Sequence, residues 1–321
     1  MLRNSKSFLL LSLLPRAACL AGFTLPALAQ MPVGEPPAPG TYIWVDEHRL
    51  HLNCEGTGSP TVVFDSGLGG SSLDWALVQP KVAMFTRACS YDRAGYAWSD
   101  PGPLPRNSKR IVDDLEQLLG NASVAAPYLL VGHSLGGMLV QHYARRNPQK
   151  TAGLVLVDAT HEEQFRRLEA DVAPPEVRGR SLMMRGGSWH VPQGLPEDVS
   201  LLARGFVARA KSIVVIQSEL QFLRSAHRSV LAGALPDVPL VVISHRVTGP
   251  AASTRHERWE HMWMDMQLDL ATRTPRSRHV IAATADHYVH ILEPEIVIDA
   301  VRAVVEQHRL EANQRAASYQ P

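Results

Sequence analysis

The chemistry of this chain is most legible in YLLVGHSLGG, where Gly132-His133-Ser134-Leu135-Gly136 fits the pattern G-x-S-x-G. An apolar run ends on the first glycine, and a helix-like stretch starts just after the serine, the strand–turn–helix setting this pattern requires. Such a turn holds the serine in a strained backbone conformation with its hydroxyl clear of the sheet. The residues two before and two after press on neighbouring backbone, where only a very small side chain fits. The helix that starts here also favours developing negative charge at its N-terminus. Ser134 is therefore the candidate nucleophile, and the Leu135 N–H is one candidate donor to an oxyanion. A serine nucleophile needs a base. TADHYVHILEPE offers His287 and, as the alternative, His290. The base needs a carboxylate to fix its tautomer. Asp158 ends the apolar run GLVLVDA, Glu162 follows it, and Asp265 lies in the helical-looking WEHMWMDMQLDL.

Other chemistries are disfavoured. DSGLGGSS (65–72) is glycine-rich, but no Lys-Ser/Thr follows and the G-x-G-x-x-G spacing is missing, so it does not read as a phosphate cradle. His256 and His261 in HERWEH are five apart, which does not place two ligands on one helical face. No metal and no cofactor is expected. The formal net charge is +1, and no basic stripe with interleaved aromatics occurs, so no nucleic-acid partner is expected.

The elements that must carry these residues alternate. TYIWVDEHRLHLNCEG reads as a β-hairpin closed by Gly56, and TVVFDSG and RACSYDRAG as strands. SKRIVDDLEQLLG is a helix with Ile111, Leu115, Leu118 and Leu119 on one face, stopped by Gly120. The strand PYLLVGHS leads into a helix ended by Asn147-Pro148. AGLVLVDA, PLVVIS and RHVIAA are further strands, and EPEIVIDAVRAVVEQHR is a closing helix. Apolar strands alternating with amphipathic helices predict a mostly parallel sheet with helices on both faces. Residues 159–237 break the rhythm. They read as helices and loops without clear strands, with Ile213, Ile216, Leu220 and Leu223 at helical spacing, a helical cap inserted into the core.

Arg3 and Lys6, the apolar stretch from Phe8 to Ala29 and the small-x-small Ala27-Leu28-Ala29 predict a signal peptide over 1–29, cut before Gln30. Pro15 and Arg16 interrupt the run, and neither half nears the roughly 20 residues that span a membrane. Arg16 stands where a lipoprotein site at Cys19 would need a small apolar residue. The mature protein is therefore expected to be exported, periplasmic or secreted, with no stable membrane span. Residues 30–40 are a Pro/Gly-rich linker, 41–158 and 238–310 the two parts of the core, and 311–321 a tail. Cys54 and Cys89 remain after cleavage, enough for one disulfide or two buried thiols.

The elbow, DSGLGGSS and YDRAGYAWSD (91–100) together resemble the α/β-hydrolase fold superfamily, and more narrowly bacterial exported serine hydrolases with SGLGG and YDRAGYxWSD loops. The resemblance runs from about residue 41 to 308 and is weakest in the cap. It implies the α/β-hydrolase fold, an eight-stranded type of sheet with a helical cap. It implies His287 as base, although Asp286 stands where relatives carry glycine. It implies Leu68 as the second oxyanion donor, with Ser66-Gly67 where relatives often have His-Gly. Gly69 lets this backbone approach substrate closely, and the ring of Trp75, just downstream, either faces the acyl pocket or packs in the core. Relatives often place the acid in the turn after the strand that is here VPLVVIS, yet that turn reads Ser244-His245-Arg246. Some members supply it one strand earlier, which points to Asp158 and keeps the nucleophile–acid–base order. The fold's usual strand order would set Cys54 beside Cys89. The resemblance thus implies a serine esterase or lactonase acting on a small ester-like molecule. Aminopeptidase or C–C hydrolase chemistry on the same residues, and a non-catalytic binding protein, are the alternatives. Serine in place of aspartate at the elbow disfavours a dehalogenase or epoxide hydrolase.

Overall fold

The structure, a computed structural model, describes residues 36–171, 184–185, 188–189, 193–225, 233–248 and 254–318. Contacts divide the chain into Met1–Pro36 and Pro37–Pro321. The expected signal segment, its cut before Gln30 and most of the linker lie outside the described residues.

The hairpin read at 41–56 is β1 (Thr41–Val45) and β2 (His48–Glu55), paired antiparallel. It joins β3 (Thr61–Asp65), β4 (Ala88–Tyr91), β5 (Tyr128–His133), β6 (Thr151–Val157), β9 (Leu240–Ser244) and β10 (Ser277–Ile281) in one eight-stranded sheet of order β1-β2-β4-β3-β5-β6-β9-β10. Every pairing from β4 to β10 is parallel. β3, β5 and β6 are buried along their whole length, which is why they read as unbroken apolar runs.

Alternate residues face two cores. Leu130 joins Leu115, Leu118 and Tyr143 of helices α2 (Ser108–Asn121) and α3 (Leu135–Arg146) on one face. Leu129 and Val131 join Val82 of α1 (Gln79–Ala83) and Val297, Val301 and Val304 of α9 (Pro294–Ser318) on the other. Helix α2 runs one residue past Gly120, and Ser123 takes the positive φ of 51° at the exit. Helix α9 continues through most of the expected tail. Its extension is anchored by Arg276 on Glu311, with Gln307 donating to Glu311 one turn away.

Between β6 and β9 lie α4 (Gln164–Asp171), α5 (Glu197–Val207) and α6 (Ala210–Ser225). A short antiparallel hairpin, β7 (Met184–Arg185) and β8 (Ser188–Trp189), falls where only helix and loop were expected. Two glycines separate two-residue strands there, too short for an alternating pattern to show. Helix α7 (Arg255–Leu270) sits between β9 and β10, opened by a capping box in which Thr254 and Glu257 bond reciprocally. A short α8 (Val289–Leu292) precedes α9. Cys54 pairs directly with Cys89 across β2 and β4, and the two form a disulfide. Among the described residues no helix is long and apolar enough to cross a membrane.

Register decides what meets at the carboxyl ends of the strands. Asp65 aligns with Gly132, His133 with Val157, and Val157 with Ile243. Ser134, Asp158 and Ser244, the next residues of three neighbouring strands, therefore emerge at one level of the sheet, with Ser66 one residue behind at the level of His133, where open parallel sheets place their ligands.

Candidate active site

Ser134 leaves β5 with φ 51° and ψ −120°, a conformation that non-glycine residues rarely adopt. A Cβ on Gly136 would collide with the Asp65 carbonyl, and one on Gly132 with the Gly136 backbone. Both positions accept only glycine because β3, β5 and α3 touch there through backbone alone. The Ser134 N–H donates to the Val157 carbonyl at 3.1 Å, and the Ser134 carbonyl accepts from Thr160 at 2.9 Å and Gly137 at 3.0 Å. Leu135 opens the helix, so its N–H has no intrahelical acceptor.

His287 lies in the loop between β10 and α8. The Glu293 carboxylate accepts the Ala283 and Thr284 N–H groups at the loop's start. Asp286 accepts from the Tyr288 N–H at 2.9 Å, a local turn around His287. The His133 ring, one residue before Ser134, bonds the His287 carbonyl through Nε2 at 3.1 Å, with ring centroids 4.6 Å apart. As a carbonyl only accepts, this Nε2 carries the proton.

The His287 Nδ1–H meets Asp158 Oδ2 at 2.6 Å. Asp158 is fully buried and, like Ser134, has a positive φ, here 44°. Its carboxylate accepts four bonds: from His287 Nδ1, from His245 Nδ1 at 2.8 Å, from the His245 backbone N–H at 3.2 Å and from Trp263 Nε1 at 3.0 Å. Four bonds fill its lone pairs. Burial alone would raise the Asp158 pKa, but the bonds from His245 and His287 outweigh it and hold the carboxyl below the usual carboxylate range. The His245 Nε2 bonds Glu260 Oε2 at 2.7 Å, placing that ring between two carboxylates. Burial opposes its charged form, yet the bonds to Asp158 and Glu260 push its pKa up to about 10.

The loop Ser66–Gly70 is held from below by Arg93. One guanidinium nitrogen, Nη1, donates to the Ser66 carbonyl at 2.6 Å and to Asp65 at 2.7 Å, and Nη2 donates to the Gly67 carbonyl at 2.7 Å. The peptide planes are trans, so a Gly67 carbonyl aimed at Arg93 turns the Leu68 N–H away from it. The loop passes close to the elbow, since a Cβ on Gly67 would lie 3.2 Å from the Ser134 Cβ. The same guanidinium grips Glu219 of α6 through Nε and Nη2 at 3.1 and 3.2 Å. Tyr96 completes the set, accepting from the Gly69 N–H at 3.3 Å and donating to Glu219 at 2.7 Å.

The model of the Alpha/beta hydrolase family matches residues 62–300. The chain belongs to the α/β-hydrolase family. A solved structure with the same fold is the enol-lactonase of Burkholderia xenovorans LB400, with a TM-score of 0.58 and 16% identity over 83% of this chain and 100% of that one. Among curated relatives, an uncharacterized protein of Bacillus subtilis, YqjL, is 26% identical over 78% of this chain and 84% of its own length. The "Probable transporter efuK" of Hormonema carpetanum is 31% identical over 82% of this chain, which spans only 42% of that relative's length.

In this hydrolase the structure decides between the two readings of Trp75 and gives the Gly69 N–H a partner. Trp75 has no exposed surface; it is packed between Phe64 and His290, with ring centroids 4.8 and 4.7 Å apart, so it is core and lines no pocket. The Gly69 N–H donates to the Tyr96 hydroxyl, and its positive φ of 76° makes Gly69 a turn residue that shapes the loop. Glu162 is buried but bonds Arg273 at 2.9 Å, and Asp265 is exposed on α7. His290 is fully buried, and burial pushes its pKa down to about 3. Phe206 packs against Trp98 with ring centroids 4.8 Å apart, while the Trp189 side chain lies outside the described residues. Among the described residues no group of three or more His, Cys, Asp or Glu side chains could hold a metal ion. Sequence reasoning passed over His133, Arg93, Glu219, His245, Glu260 and Trp263. The one available signal was the pair His245-Arg246 standing in the turn where an acid was sought.

Proposed function

We propose that this hydrolase cleaves carboxylic esters or lactones through an acyl-enzyme on Ser134. The observation that carries the reading is the 2.6 Å bond from His287 to a fully buried Asp158, beside a serine at a strained elbow. Ser134 Oγ attacks the substrate carbonyl while His287 Nε2 takes its proton. Asp158 keeps the Nδ1 proton in place and stabilises the imidazolium, without becoming protonated itself. The N–H groups of Leu68 and Leu135 receive the oxyanion. His287 then returns the proton to the leaving alkoxide, and a water molecule, activated by the same ring, releases the acid. No step calls for a cofactor. Segment 159–237, which carries α4, α5 and α6, is proposed as the cap that selects the small ester-like substrate. Export to the periplasm or medium belongs to the same proposal, supported by the N-terminal composition and by a disulfide of a kind that persists in oxidising compartments.

The test is hydrolysis of p-nitrophenyl esters of short and medium acyl chains, with Ser134→Ala and His287→Ala as controls and an active-site phosphonate as a label. Turnover that collapses in both variants is expected. Labelling of Ser134 without ester turnover would favour an aminopeptidase or C–C hydrolase. No labelling and no turnover would favour a non-catalytic binding protein.

A further inference from the structure

Two imidazoles share one carboxylate oxygen in this site. Asp158 Oδ2 accepts from His287 Nδ1 at 2.6 Å and from His245 Nδ1 at 2.8 Å. The His245 backbone N–H and Trp263 Nε1 hold Oδ1. The other nitrogen of His245 reaches Glu260 Oε2 at 2.7 Å. A ring with a carboxylate oxygen on each nitrogen donates from both, which is the imidazolium form. His245 is only 3% exposed. It follows β9 at the level where Val157 aligns with Ile243, so strand register sets it against Asp158.

We propose that His245 is a permanent cation behind Asp158, a positioning residue that fixes the carboxylate and weakens the charge it presents to His287. This rests on the Ser134–His287–Asp158 reading and deepens it. A buried aspartate facing a single imidazole favours that ring's charged form. A fixed positive charge bonded to the same carboxylate oxygen opposes that pull. Glu260 in turn keeps His245 charged.

The other groups around the two rings leave this balance in place. Facing His245 are Asp158 from the end of β6, and Glu260 and the neutral Trp263 from α7. His256, also on α7, stands 3.8 Å from Glu260 and is exposed. Facing His287 are His133, Tyr288, Trp263 and, within the same cluster, His290. Burial holds both His133 and His290 neutral, well below the ordinary histidine range. The Asp286 carboxylate is engaged with the Tyr288 N–H.

The experiment is an NMR pH titration of the full chain carrying ¹⁵N-labelled histidine, in wild type and His245→Gln, with His287→Gln to assign the second ring. The expected result is one ring that stays in the imidazolium form past pH 9 in wild type and disappears in His245→Gln. In that variant the His287 midpoint rises by about one pH unit, and the acid limb of kcat/KM for p-nitrophenyl butyrate rises with it. A merely structural role would lower kcat/KM at every pH and leave the limb in place. A His245 ring that turns neutral below pH 7, or a His287 midpoint unmoved by the substitution, overturns the proposal. The wild-type titration decides even if the variant does not fold. Because the titration needs no turnover, failure of the esterase reading (activity retained in Ser134→Ala) is a separate result.

Discussion

Arg93 and Glu219 form a forked ion pair with side chains 2% and 0% exposed, one on the loop after β4 and the other on helix α6. The same guanidinium bonds the carbonyls of Ser66 and Gly67, so α6 and the SGLGG loop are held by one side chain. Removing one partner of a buried pair costs about 3–5 kcal/mol when the other charge is left uncompensated. Arg93 keeps Asp65 at 2.7 Å, so Glu219→Ala is expected to lose less than that in urea denaturation. Its kcat should fall at least about tenfold, a fraction of the 10²–10³ typical of losing an oxyanion donor. Unchanged kcat would show that Asp65 alone is enough to hold Arg93 against the loop.

Asp158→Asn and Glu162→Gln should separate cleanly. The amide at 158 can no longer hold His287 in the required tautomer, and kcat is expected to drop by about 10⁴. Glu162 bonds Arg273, so its amide variant should keep kcat and show only lowered stability by thermal denaturation. Full activity in Asp158→Asn would move the acid elsewhere.

The disulfide closes a loop with a sequence separation of 35. Chain entropy for a loop of that size corresponds to about 4 kcal/mol. The double variant Cys54→Ser, Cys89→Ser should lose a comparable amount in urea, with kcat preserved because the bridge lies at β2 and β4, away from Ser134. Two alkylatable thiols in unreduced protein would contradict the bridge.

Alkaline pH should weaken the fold through His245. The folded ring keeps its proton to about pH 10, against an ordinary value of 6.5. Its stabilising contribution is therefore complete below pH 6.5 and is lost as pH rises to 10. Denaturation midpoints of wild type and His245→Gln, compared at pH 6, 8 and 10, should converge as pH rises. A constant gap would contradict a charged ring.

What the sequence disclosed depended on distance along the chain. The elbow was legible because Gly132, Ser134 and Gly136 sit within five residues and the flanking strand and helix have clear periods. Asp158 could be named because it closes an apolar run. Its partners could not: His245 lies 87 residues away and meets it only through the β6–β9 register. The grip of Arg93 on Glu219 spans 126 residues and joins the core to a segment whose pattern gave no placement. Trp75 stayed open between pocket and core because proximity to a glycine-rich loop says nothing of which side a ring faces. Here it faces Phe64 beneath the sheet.

The alignment of Val157 with Ile243 has a consequence for how such proteins are compared. Two neighbouring strand ends, at Asp158 and at Ser244-His245, open onto the same few ångströms of space. A carboxylate seated on either could reach the same imidazole, so the seat belongs to the sheet and not to a single strand. A template that demands an acidic residue after β9 would discard this chain. One that asks only for a carboxylate at that point in space, from whichever strand supplies it, would keep it.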